Sequence, residues 1–484
     1  SVNSVDSLIS GNQNKETTGT NNATFGKTNV TKTTTNSLTV GLSNNLSTAT
    51  NSFTMGESNV GIDITNSIIS GKDHSGNTVI RSMVNGQDNT VSQVTNAFIS
   101  GKQNTLSSDN YSSVTGLNNT LTTTTGTIVG GDNNALTNTK RDIVQGLSNQ
   151  VNNSNDIIMV GESHEATNSD RMSIFGYNQT VTSSKNSIIS GHSNTESSSD
   201  NNATFGHSNS VTSSSNIITM GKSNTTSDSS NCQVTGDANS SSNVDNSIIV
   251  GKDNSGVDIS NTAIFGLSNQ VKTTTLNSLI SGKSHIETTG TNNALFGEEH
   301  ETTTTTNTLS SGKNHTITSG SQTLVSGKDN VGNAVTNVFV TGESNSVTSS
   351  TNASILGESI TLNNNNKNSF LTGYNHSESG GSQNASFGDS NSTSNSKNTV
   401  IGGKLNIVDD VERSITFGKT NQVNESVDTI TVGDTNIVLG TNYSAIIGSS
   451  HDISSNTFGT LSVGKSHKEW KGRFNITGGE SNQI

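Results

Sequence analysis

Three imidazoles, His285, His300 and His315, stand fifteen residues apart. Histidine changes charge near neutral pH and is the commonest metal ligand. A fold that stacks these rings in one column would make either a metal site or a region that loosens on protonation below about pH 6.5. The plainer reading of the same spacing is a neutral ladder in which imidazole takes the place of Asn. In a second set, Leu117, Leu147 and Tyr177 alternate with Asp132 and Glu162 at fifteen-residue spacing, and Arg141 and Arg171 replace Asn in a nearby column. An exposed aromatic and Leu set with Arg has the composition of a contact hot spot, which makes these residues the candidate receptor-binding surface. The bland alternative is drift in a tolerant turn, since single exposed apolar residues need no explanation. No catalytic set stands out: GxSxG and HExxH are absent, and the acids read as turn residues spread along the chain. Ser, His and Asp are so numerous that chance accounts for any triad. Cys232 is the only cysteine, so neither a disulfide framework nor a CxxC metal site is open to this chain. Neither enzymatic activity nor a cofactor is expected.

These side chains must be positioned by elements that the composition restricts severely. Only 26% of the 484 residues are apolar and 13% charged, while Asn, Ser, Thr and Gln make up close to half of the chain and Pro is absent. Ordinary domains draw about 45–50% from the apolar set including Gly and about 25% from the charged set. A chain this poor in apolar residues cannot fill a wide core, but it can fold if each turn needs only a thin apolar seam. Without Pro every backbone N–H is free to join a ladder, which favours a fibrous or solenoid β fold over disorder. A net charge of −13 with scattered cations argues against nucleic acid and anionic membrane surfaces. Apolar runs such as 157–160 are too short to cross a bilayer, and Ser1 reads as the start of a processed or trimmed chain.

Glycine supplies the period. It recurs every 15 residues from Gly11 to Gly266 and, after 16-residue steps that begin at Gly266, Gly357 and Gly448, continues to Gly479, giving 32 rungs. The three residues before each Gly never include a charge, which implies a strand buried on both faces. The most apolar of the three positions, with Leu8, Phe53, Ile68, Phe98 and Ile128, is expected to be the inward column. The other face then needs a cover that so thin a chain cannot provide, which points to self-association. The residue after the Gly is charged in 21 of 32 rungs, as in an exposed turn, and three after it stands Asn or His in 30 of 32. Those Asn residues predict a ladder, each amide bonding to turn backbone and to its copies above and below. Five after the Gly comes a second apolar column, with Leu46, Val91, Leu106, Leu121 and Val151, in hydroxyl-rich stretches suited to a half-exposed strand. Each rung is therefore expected to contain two short strands and two turns.

At this point "NSLTVG", "NSIISG", "NSIIVG", "NSLISG" and "NTVIGG" resemble the head repeat of trimeric autotransporter adhesins of the YadA-like type, whose motif runs close to NSVAIG-x-x-S. The resemblance covers nearly the whole chain, and the Asn-rich, Pro-free composition is similar to that of fusobacterial members. It implies an all-β, left-handed parallel β-roll, a solenoid of about 32 rungs, associated as a homotrimer along the apolar strand. Residues 1–484 would then form a single head domain, with 465–484, which hold Trp470, as a capping rung or the transition to a neck outside this sequence. The family also implies a bacterial cell-surface location, with outer-membrane anchorage through a C-terminal region absent from this chain. Implied partners are a carcinoembryonic-antigen-related cell-adhesion molecule, or a matrix protein such as collagen. This repeat departs from the family in having 15 rather than about 14 residues, in preferring Thr and Ile to Ala, and in placing Asn or His where Ser is usual.

Two other classes fit a Thr-rich coil less well. Ice binding requires hydroxyls at the same two alternating positions on every rung, and pairs such as Lys32/Thr34 and Ile62/Ile64 break that lattice. A phage-type polysaccharide-binding or cleaving spike would need a groove with paired carboxylates.

Overall fold

The computed structural model describes residues 2–454 and 456–483. The chain is an all-β parallel solenoid of about 32 turns, with no helix among the described residues. It divides into two compact units, Ser1–Asn239 and Ser240–Ile484, each holding sixteen of the periodic glycines.

The rung around Gly41 shows how local preferences build the coil. A five-residue strand, Leu38–Leu42, is followed by a second strand, Asn45–Thr50. Both pair in parallel with their copies one repeat later, Leu38 opposite Phe53 and Asn45 opposite Val60. The chain turns at three residues in the left-handed region: Ser43 between the strands, Thr48 within the second and Asn51 after it, at φ of 59°, 55° and 49°. Each rung thus has three such corners, where two turns were expected. Asn and Asp tolerate this region better than other non-glycine residues. A coil with three left-handed corners per rung therefore draws on Asn for its backbone as well as for its ladders.

The periodic Gly meets two demands together. Gly41 has φ of 126°, and a Cβ there would lie 1.9 Å from the carbonyl oxygen of Gly56. No side chain fits so close a backbone approach.

Inside, each rung is narrow. The position two before the Gly is inward, as in Ile69, Val84 and Ile99, and so are the fifth and eighth after it, as in Leu46 and Ala49 or Val91 and Val94. The second apolar column therefore lies inside as expected. The first-strand expectation is overturned: Ile68, Phe98 and Ile128 are 37%, 42% and 48% exposed, whereas Ile69, Val84 and Ile99 are at most 1% exposed. The most apolar column faces out because the interior is too narrow for it. No Phe is among the buried residues, and eleven of the thirteen stand one or three before the Gly, on the outer face.

The first two long rungs double one corner. Thr273 and Thr274 are both left-handed, as are Asn364 and Asn365, so the extra residue forms a local bulge at the second corner.

Candidate functional site

The dominant surface feature is the outer face of the first strand. Its exposed members include Met55, Ile68, Met83, Phe98, Val160, Phe175 and Ile188 in the first unit and Ile248, Phe265, Leu309, Phe339 and Phe387 in the second. Contiguous apolar patches on monomeric proteins rarely exceed a few hundred Å², and larger ones mark interfaces. The side chains also compensate one another within a rung. In six of the seven rungs where Phe stands just before the Gly, Ala or Ser stands two residues earlier, as in Ala23/Phe25, Ser173/Phe175, Ala203/Phe205, Ala263/Phe265, Ala294/Phe296 and Ala385/Phe387, the exception being Ile415/Phe417. Where Phe98, Phe339 and Phe370 take the earlier place, Ser100, Thr341 and Thr372 take the later one, and Phe53 with Met55 is the exception. Solvent does not require constant volume, but a packed interior does. Beside this face, grooves of about 670 Å³ and about 460 Å³ run between the third corner, at Asn36 and Asn337, and the apolar residues Leu38 and Phe339.

The candidate receptor set falls into two places. Leu117, Asp132, Leu147, Glu162 and Tyr177 are register partners on adjacent rungs and form one exposed stripe at the end of the first strand. Asp132 accepts the Leu117 N–H at 3.0 Å, and the Tyr177 ring stacks on His192 at 5.0 Å. Arg141 and Arg171 lie at the third corner instead, two residues before the strands Ile143–Leu147 and Ser173–Tyr177 begin. Each is thus a whole strand away from the stripe within one chain. Arg141 is held by a bidentate pair with Asp156 at 2.6 and 2.7 Å, and its hydrogen bonds keep the Asp156 carboxyl below the usual range. Arg171 donates Nε to Asn186.

The Asn ladder is present inside the first corner. Asn44 donates Nδ2 to the carbonyls of Val40 and Gly56 at 3.1 and 3.0 Å, and its Oδ1 accepts the backbone N–H and side-chain amide of Asn59. Gln179 preserves the backbone bond, accepting the Asn194 N–H, whereas the Ile360 side chain cannot. Eight of the ten His occupy this column. His285 and His300 stack at 4.8 Å, and His300 and His315 lie 4.6 Å apart. Their nitrogens are taken up by ladder bonds. His285 Nε2 bonds to the Ser281 carbonyl and its Nδ1 accepts the His300 N–H, while His300 bonds to Phe296 O and Ser310 Oγ. Of the six ring nitrogens, only His315 Nδ1 is buried without a partner. Burial pushes all three rings below the ordinary imidazole value, His300 down to about 4 with its two neighbours adding. Among the described residues no group of three or more His, Cys, Asp or Glu is arranged to hold a metal ion.

Reading the acids as turn residues missed a buried set. Glu16, Glu196, Glu287, Glu378 and Glu469, five after the Gly, point inward and are at most 1% exposed. Each accepts hydrogen bonds on Oε1 from a Ser or Thr on one side and an Asn six residues later. Examples are Ser187 at 2.6 Å and Asn202 at 3.3 Å to Glu196, and Ser369 and Asn384, both at 2.8 Å, to Glu378. Three after the Glu stands Gly or Ser, and a Cβ at Gly290 would come within 1.8 Å of Glu287 Oε1. The signal was present as Glu-x-x-Gly/Ser-x-x-Asn, at one fixed offset from the periodic Gly. Burial raises the carboxyls of Glu196, Glu287 and Glu378, Glu196 up to about 7. Asp109 and Asp142 are also buried, Asp142 raised to about 6. Near the C-terminal end, Tyr443, Phe458 and Phe474 pack edge to face at 5.1 and 5.6 Å on the third corner, with Tyr443 and Phe474 mostly exposed.

Neither a protein-family model nor a curated protein matches the chain. Among solved structures it is similar to a protein of Desulfovibrio desulfuricans described as an acetyltransferase, at 10% identity over 54% of this chain and 61% of that one. The TM-score is 0.10, too low to bear on fold or function.

Proposed function

We propose that the chain is the head of a bacterial surface adhesin that assembles as a homotrimer and binds a host cell-surface receptor or matrix protein through its exposed turns. The observation that carries this reading is the outer face of the first strand: uncharged, rich in Phe, and compensated in volume in nine of its eleven Phe rungs. Packing of that face against its own copies would bury the patch and give the paired large and small side chains a reason. The resemblance of the repeat to YadA-like heads supplies the threefold arrangement, the left-handed coil, and the cell-surface location with an outer-membrane anchor outside this chain. It also suggests the partners, a carcinoembryonic-antigen-related cell-adhesion molecule or collagen. No enzymatic role is part of this reading.

Solution mass by light scattering is the first test. A particle near 150 kDa, three times 50.2 kDa, is expected, and a folded monomer would overturn the assembly. Surface binding of the trimer to the receptor ectodomain or to collagen then tests adhesion, and no binding to either would remove both partners.

A further inference from the structure

The buried carboxyls recur with a longer period than the rung. Glu196, Glu287, Glu378 and Glu469 are 91 residues apart, which is six rungs, and Glu16 precedes Glu196 by twelve. The rung midway between Glu16 and Glu196 carries Leu106 in the Glu position and moves its acid three residues on, to the buried Asp109. Every sixth rung thus encloses one carboxyl.

The Glu layers lack the apolar seam, whereas the Asp109 layer keeps it, since Leu106 belongs to a cluster that continues from Leu46 to Ile189. After the Glu these rungs offer Gly or Ser and then Asn, so the first strand alone can contribute an apolar contact, and in the Glu469 rung its inward residue is Ser462. In the second unit one apolar cluster runs from Ile317 to Leu371 and another from Ile401 to Ile453, with Glu378 in the break. The bulged long rungs precede the layers of Glu287 and Glu378. There the bulge aims Thr275 and Asn366 at the layer's own glycine, each accepting the N–H of Gly290 or Gly381. Even so, the second carboxyl oxygen of Glu196 and of Glu287 is buried without a partner.

We propose that the Glu layers are seams built into the solenoid: from Glu196 onward the coil is a tandem of six-rung modules, and local opening begins at the Glu layers that separate them. Local stability follows buried apolar contact, and the layers are where that contact is thinnest. A buried carboxyl without full hydrogen bonding favours its neutral form, so the layers are tightest at acid pH and loosen as the groups ionise. Glu287 packs between Val271 and Thr302 and bonds to Ser278 and Asn293; the titratable groups inside the adjoining corner are His285 and His300. Glu378 packs between Leu362 and Thr393, with His376 on its own rung.

Hydrogen exchange on the full chain, read by mass spectrometry at pH 5 and pH 8 and corrected for intrinsic rates, tests this. Segments spanning Glu287 and Glu378 are expected to exchange at least about tenfold faster than residues 325–347 at pH 8, with the difference narrowing at pH 5. Glu287→Gln should close the gap at its own layer only, and Glu378→Gln is the independent second variant. Equal protection of layers and module centres in the wild-type chain at pH 8 would overturn the proposal. So would a gap that persists unchanged in both Gln variants.

Discussion

Ile68 and Ile69 are neighbours in one strand, yet Ile68 is 37% exposed and Ile69 only 1%. Ile69 fills the coil's own interior, and Ile68 lies on the face that the proposed assembly would cover. Ile69→Ala should destabilise the isolated coil by about 2–5 kcal/mol, as for other large-to-small core changes. Phe98→Asp on the outer face should leave the β-sheet circular dichroism intact while light scattering shows loss of the assembled mass. A Phe98→Asp protein that still assembles would mean that this face is not the contact.

Gly56 has φ of 119°, and a Cβ there would sit 1.9 Å from the carbonyl oxygen of Gly71. Gly56→Ala should therefore exceed about 4 kcal/mol, the range of the most damaging single substitutions. Chemical denaturation measures it.

In the ladder, Asn119 donates to the Asn104 Oδ1 and the Gly131 carbonyl and accepts the Asn134 N–H. Asn119→Ala should cost about 1–3 kcal/mol for each buried group left unmatched. Asn119→His should lose less, because imidazole fills this column in eight other rungs and accepts the next rung's N–H. Equal melting temperatures for the two variants would contradict the ladder's energetic role.

Acid and base should act on different groups. His300 titrates near 4 in the folded coil and near 6.5 when unfolded, so the unfolded chain binds the extra proton first. Its contribution is present above pH 6.5 and is lost as pH falls toward 4. His300→Asn should flatten that part of the melting profile, and added Zn²⁺ should leave the melting temperature unchanged. Glu196 has the opposite sign. Raised to about 7 from 4.5, it stabilises fully below pH 4.5 and loses that contribution as pH rises through 7. Glu196→Gln should melt higher than the wild-type protein at pH 8 and at the same temperature at pH 4.

Leu147 and Tyr177 share one exposed stripe, whereas Arg171 is anchored to the third-corner ladder. If the stripe is the receptor contact, Leu147→Ala with Tyr177→Ala should weaken receptor binding at least tenfold, about 1.4 kcal/mol, with assembly intact. Arg171→Ala separately tests the corner. Unchanged binding in both variants would remove these residues from the contact.

Much of this architecture was legible in the residues. The recurring Gly set the period, the Asn column announced its ladder because an amide can both donate and accept between rungs, and the Leu and Val five after the Gly marked an inward column. Spacing could not tell which face of the first strand lies inside, because both are uncharged and the choice depends on how wide the coil is once its corners have closed. Nor could it separate a buried Glu from a turn Glu, since that depends on a Gly three residues away leaving room and on Ser and Asn arriving from other sides of the coil. The two Arg residues were read as neighbours of the Leu and Tyr stripe because sequence distance is short there. The folded rung puts a whole strand between them, because strand residues are extended and corners alone bring the chain back.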